Sequence, residues 1–249
     1  MKCRLCGQDR KLCDSHIIPE FFYDSIYDDK HRLNEYSRDS GRVQVFQKGH
    51  RERLLCEGCE DLLNEKYEKY FKMAWYDNGA LPRTVDFQRR SITGLNYRPF
   101  KLCLLSILWR ASVAKQPLFS HIRLGQKHEA AIRRMLLEDN PGPVDLYPFM
   151  VEVLWLADPV THSDHVARSV VMQPVDRKHG YQRVYLFWFG SCMWFFLVGS
   201  EPDGLFRKRT IQLDGTLAIG WQNLAMLPIL QDLIRDHDRA AARTTPSHA

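Results

Sequence analysis

The chain has 249 residues, 45% of them hydrophobic and 26% charged, with a formal net charge of +5. Such values belong to a soluble globular chain of one large or two small domains and exclude a disordered one. The positive charge is uneven: residues 83–134 carry 11 Lys/Arg against two acids, Asp86 and Glu129, while the segments on either side are slightly acidic.

Cys3-Arg4-Leu5-Cys6-Gly7 reads as a metal knuckle, with Gly7 supplying the positive backbone angle such turns need. Ile17-Ile18-Pro19-Glu20 then leads into a helical turn at Phe21–Tyr23, with Pro19 near its start. Residues 30–55 alternate polar and apolar around Asp39-Ser40-Gly41, which predicts a hairpin. A second pair, Cys56 and Cys59, opens a helix expected over Glu60–Trp75.

Pro99–Gln116 is predicted as a buried helix stopped by Pro117, and Gln126–Leu137 as a second helix with a basic face. Asn140-Pro141-Gly142-Pro143 marks a boundary, giving segments 1–82, 83–140 and 141–249. Beyond it, Phe149–Leu156, Val166–Met172, Arg183–Phe189 and Cys192–Val198 read as strands of an antiparallel sheet, Arg207–Leu213 as a weaker one, and Leu224–Arg243 as a final helix. The uncharged run Val184–Ser200 is 17 residues long and broken by Gly190-Ser191. A spanning helix needs about 20 residues, so two strands joined by a tight turn are expected and no membrane partner is.

Seven cysteines with two C-x-x-C pairs, behind a polar start, point to metal ligation in a reducing, cytoplasmic setting. Cys3, Cys6, Cys56 and Cys59 are the four thiolates a tetrahedral structural Zn2+ takes. A knuckle, a hairpin and a helix opened by the second pair make a treble-clef arrangement, so the fold class expected is α+β. Cys13, Cys103 and Cys192 are taken as ordinary thiols. The acidic and His-bearing stretch 158–165 is taken as a loop rather than a metal site.

Between the pairs lies Asp14-Ser15-His16-Ile17-Ile18-Pro19. With the flanking C-x-x-C pairs, residues 1–75 resemble the zinc-containing branch of the HNH (ββα-metal) endonucleases and a group of bacterial proteins sharing this N-terminal pattern. The resemblance implies a phosphodiester hydrolase cutting DNA, or RNA, in which His16 is the general base and a divalent cation, Mg2+ or Mn2+, supports the leaving oxygen. It offers Asp14, Ser15, Glu60 and Asn64 as cation ligands and His50 as a substitute for the Asn that the family places before its second pair. Family habit adds a role in phage defence. The departures are Ser15, where an Asp or His is usual, and Glu60, where an Asn or His is usual. They leave a second implication, a non-catalytic zinc-bound adaptor for nucleic acid or protein with a degenerate site.

Arg89, Arg90, Arg98, Arg133 and Arg134 could form a phosphate-binding strip, with Tyr97 and Trp109 as bases for stacking unless they pack in the core. The C-terminal half carries no clustered chemistry and suits a protein partner or homo-oligomerisation.

Overall fold

In the computed structural model, residues 1–227 are described except 25, 28, 31, 38–41, 48, 158–161 and 168–170; for 33–37, 42–47 and 165 the backbone alone is described. The fold is α+β, with the four-cysteine cluster at the N-terminus and a sheet in the C-terminal half.

Strand β1 (Leu12–His16) pairs antiparallel with β4 (Arg51–Cys56), setting His16 opposite Arg51 and Leu12 opposite Cys56. The ladder therefore ties one end of the His16 segment to the second cysteine pair. Between them, β2 (Arg32–Ser37) and β3 (Arg42–Gln47) form the expected hairpin, whose Asp39-Ser40-Gly41 turn lies outside the described residues. Pro19 precedes a single helical turn, Glu20–Phe22.

Helix α1 (Glu57–Leu63) starts directly after Cys56, earlier than the apolar spacing indicated. It runs on through a wide turn at Asn64–Glu68, α2 (Lys69–Lys72) and a second wide turn at Met73–Asp77. Leu63, Tyr67, Phe71 and Trp75 are all completely buried. A strict four-residue spacing drifts around a 3.6-residue helix, and turns closed by i→i+5 bonds hold the row on one side.

Helix α3 (Tyr97–Val113) is capped by the Asn96 side chain, which accepts from the Arg98 N–H. It is buried all round, including Lys101 and Arg110, because helices and sheet enclose it. Helix α4 (Gln126–Leu137) has the bounds its sequence indicated.

The sheet runs β5 (Ser91–Ile92), β11 (Leu217–Asn223), β6 (Phe149–Ala157), β10 (Cys192–Val198), β9 (Gln182–Phe189), β8 (Met172–His179), with β7 (Asp164–Val166) also on β6. The uncharged run is the β9–β10 hairpin, turning at Gly190 and Ser191, both with positive φ. A Cβ on Gly190 would meet the Phe22 ring at 2.8 Å, so this turn is also where the N-terminal segment sits on the sheet.

Three expectations are corrected. The sheet is mixed, because β11 runs parallel to β6. Arg207–Leu213 is no strand: Gly204–Arg209 is helix α5, nucleated by the Asp203 carboxylate, which accepts from the Leu205 and Phe206 N–H groups. Val166–Met172 is the connection between β7 and β8 rather than a strand, with 168–170 outside the described residues. Of the expected terminal helix, Leu224–Met226 forms one short turn and 228–249 lie outside the described residues.

One apolar core draws on all three segments of the chain. At its centre Phe71 stacks on Phe100 at 4.6 Å, and Trp75 lies 5.4 Å from Trp194 of β10. The Trp75 indole N–H donates to the Gly190 carbonyl, fixing this contact in direction as well as area. No helix among the described residues is long and apolar enough to cross a membrane.

Candidate metal centre and the His16 cluster

Cys3 and Cys6 sit on the N-terminal turn, closed by the Gly7 N–H donating to the Cys3 carbonyl with Gly7 at φ 78°. Cys56 ends β4 and Cys59 lies in the first turn of α1. The Arg4 N–H donates to the Leu54 carbonyl and binds the knuckle to β4. All four Sγ atoms lie within 4.8 Å of one another. Zinc–thiolate bonds of about 2.3 Å in a tetrahedron set sulfurs about 3.8 Å apart, and Cys6 and Cys56 are separated by 3.8 Å.

The electrostatics suit a cation. Burial pushes the Cys3 thiol up, but N–H groups of Cys6, Cys56 and Leu5 outweigh it and bring it down to about 7. Burial, with the neighbouring thiols, pushes Cys59 well up, and burial also raises Cys56. Four crowded thiols cannot all ionise unaided; a divalent metal relieves that repulsion. The four cysteines would hold Zn2+ in a closed tetrahedron that leaves no open position, a structural role.

The surroundings of His16 are built by the same strand pair. Its Nε2 accepts a hydrogen bond from Arg51 Nε at 2.8 Å. Arg51 Nη2 reaches Glu20 Oε1 at 3.2 Å, and the same carboxylate oxygen is 3.9 Å from His16 Nε2. The His16 side chain is 15% exposed and that of Glu20 49%. The His16 carbonyl accepts from Arg110 Nη1 of α3, whose Nη2 pairs with Glu68 at 2.7 Å.

Neighbouring residues of a strand face opposite sides. Ser15 is accordingly buried, and its Oγ accepts from the Leu55 N–H at 3.0 Å. The Ser15 hydroxyl also supports the Glu60 carboxyl, which burial pushes up despite help from Ser15 and Arg110. Glu60 Oε1 is buried without a hydrogen-bond partner.

Asp14 and Asn64 are exposed. Among the described residues, the four cysteines are the one group of three or more His, Cys, Asp or Glu with ligand atoms this close. The oxygen donors expected for Mg2+ or Mn2+ differ in exposure: Ser15 and Glu60 Oε1 are buried, while Asp14 and Asn64 are exposed. His50 is buried against Phe119, with Nδ1 3.1 Å from Gln116 Oε1, which places it between β4 and the turn after α3.

Three of the arginines expected as one strip have separate partners. Arg133 donates to the Leu5 carbonyl of the zinc knuckle. Arg98 pairs with Asp139 at 3.3 Å, and Arg89 donates to the Ala80 carbonyl. Arg90 and Arg134 remain exposed. Tyr97 and Trp109 are core residues, 9% and 1% exposed, and neither offers a face for stacking.

Sequence reasoning missed Arg51, Glu20 and Arg110. Arg110 had a signal, a lone charge inside the apolar run Cys103–Val113. A buried charge in such a run demands a partner, and here that partner is Glu68. Compared with known proteins, the chain matches no family model, no curated protein and no solved structure.

Proposed function

We propose that the chain is a zinc-bound, HNH-like module of treble-clef design that binds nucleic acid at the His16–Arg51–Glu20 surface without hydrolysing it. One observation carries this reading. The imidazole lone pair a general base would use accepts from Arg51, while two of the four oxygen donors expected for a cation are turned inward: Ser15 is buried and accepts from the Leu55 N–H, and Glu60 Oε1 is buried. A guanidinium beside an imidazole still suits a phosphate oxygen, since Arg binds phosphates in a planar fork. DNA is the first candidate polymer and RNA the second.

A hydrolytic reading, an endonuclease with His16 as base, is favoured by a specific feature: His16 keeps partial exposure beside the Glu20 carboxylate, which could orient the ring. Duplex DNA binding followed across salt, with a plasmid-nicking assay in Mg2+ and in Mn2+, separates the two. Salt-sensitive binding without nicking is the expected result. Nicking that vanishes in His16→Ala overturns the binding reading and establishes the hydrolytic one.

A further inference from the structure

At the edge of the sheet, Phe87 is 41% exposed and sits on two indoles. Its ring centroid is 5.2 Å from Trp155 at 76° and 5.8 Å from Trp221 at 73°. Trp155 lies on β6 and Trp221 on its parallel neighbour β11, where Asn223 is the register partner of Trp155 and Trp221 that of Val153. The two indoles therefore lie on one face of adjacent strands, one pleat apart.

The backbone ahead of β5 is strapped along the same strand. The Trp221 indole N–H donates to the Arg89 carbonyl at 3.1 Å, and the Ile219 N–H to the Arg90 carbonyl at 2.9 Å. Both arginines are thus held beside the aromatic trio. Arg90 is exposed and makes no ion pair or side-chain hydrogen bond among the described residues. Asp86, the one acid in residues 83–90, is exposed and accepts the Gln88 N–H.

We propose that Phe87, backed by Trp155 and Trp221 and flanked by Arg89 and Arg90, is a stacking platform for unpaired bases of a single-stranded nucleic acid. Bases stack on exposed aromatic rings regardless of sequence, and a neighbouring cation takes the phosphate. A duplex hides its base faces, so a lone presented ring selects the single strand. The neighbouring positions argue against a protein partner: Gln88 and Arg90, next in the chain on this side of Phe87, are polar and exposed. A protein hot spot instead calls for a dry, apolar surround. The platform depends on neither His16 nor the zinc cluster.

The test uses the full chain with fluorescein-labelled oligothymidine, read by anisotropy and by quenching of tryptophan emission, against a duplex of equal length. The single strand is expected to bind more tightly and to quench. Phe87→Ala is expected to weaken it about 5- to 100-fold, with Phe87→Tyr retaining affinity. Arg90→Glu is expected to weaken binding and flatten its salt dependence. Phe87 is partly exposed, so its replacement leaves the core intact; unchanged zinc content and near-UV dichroism verify this. In an Arg51→Ala background, which removes the surface proposed above, Phe87→Ala is expected to weaken oligothymidine binding by the same factor. Equal affinity of Phe87→Ala and the parent chain overturns the platform, as does a preference for duplex. A Phe87→Ala effect that vanishes in the Arg51→Ala background overturns it too, by moving the strand to the His16 surface. So does self-association through this face with no response to oligothymidine.

Discussion

Arg51 Nε donates to His16 Nε2 at 2.8 Å across the β1–β4 ladder, and these two residues are register partners. The proximity is thus written into the backbone, since register sets the two side chains opposite each other. Arg51 also bridges to Glu20. A phosphate oxygen would compete with that carboxylate for the guanidinium. Arg51→Ala is expected to weaken duplex DNA binding and to reduce the salt slope by about one unit. Anisotropy titrations at several salt concentrations measure both. An unchanged slope places the phosphate contacts elsewhere.

The four-thiol cluster makes a prediction about composition. Elemental analysis is expected to give one zinc per chain, and Cys59→Ser to lose it. Proton and metal compete for thiols that burial has pushed up, so zinc affinity is expected to rise with pH and zinc uptake to release protons. A chain of this length shifts its Tm by roughly 2–4 °C per kcal/mol. The chelated protein is expected to melt about 10 °C lower or more, because a metal on the four thiols would tie the knuckle to the helix. Calorimetry with and without chelator tests this, and an identical Tm would mean that the thiols pack without a metal.

Arg110 of the central helix joins it to the His16 strand and to Glu68. Its side chain is 1% exposed and that of Glu68 14%, and it also holds the His16 carbonyl. Removing one partner of a buried pair leaves the other charge stranded, at about 3–5 kcal/mol. Arg110→Met is expected to destabilise by about that amount, while the double change Arg110→Met with Glu68→Leu recovers much of it. Chemical denaturation of the three chains measures the cycle. A single variant as stable as the parent would show that Glu68 finds other solvation.

How far the sequence carried depended on what each pattern reports. The cysteine pairs were legible because metal spacing is local, and the structure brings all four sulfurs together. α4 and the β9–β10 hairpin were legible because apolar period and turn residues are local too. β8 was not: its residues Gln173-Pro174-Val175-Asp176-Arg177-Lys178 are polar, as an edge strand allows, and Pro174 suits an edge. β11 escaped because its parallel partner β6 lies far back in the chain. The basic segment misled because charge counts are blind to direction: Lys101 and Arg110 point inward, and Arg133 serves the knuckle. The His16 surroundings were half legible, since a motif names His16 but register alone supplies Arg51.

Lys101 gives the chain a signed dependence on pH. It is fully buried, donating to the Pro143 carbonyl at 2.7 Å and to the Tyr97 hydroxyl at 2.9 Å. Both acceptors are neutral, and burial brings the ammonium down to about 7, with Asp145 opposing. A lysine in the unfolded chain holds its proton to about 10.4. Between those values the unfolded state binds more protons than the folded one, so stability rises with pH. Below about 7 both states are protonated and the contribution is flat. The slope is at most about 1.4 kcal/mol per pH unit. Burial raises the Tyr97 hydroxyl, and since an unfolded tyrosine ionises near about 10, Tyr97 opposes this slope only toward the top of the window. Lys101→Met keeps the volume and removes the titration. Urea midpoints from pH 7 to about 9 are expected to rise more, or fall less, for the parent than for Lys101→Met, because the buried thiols and phenols that oppose the slope are common to both chains. Parallel curves for the two chains would show that the buried ammonium keeps its proton throughout, held by the two oxygens alone.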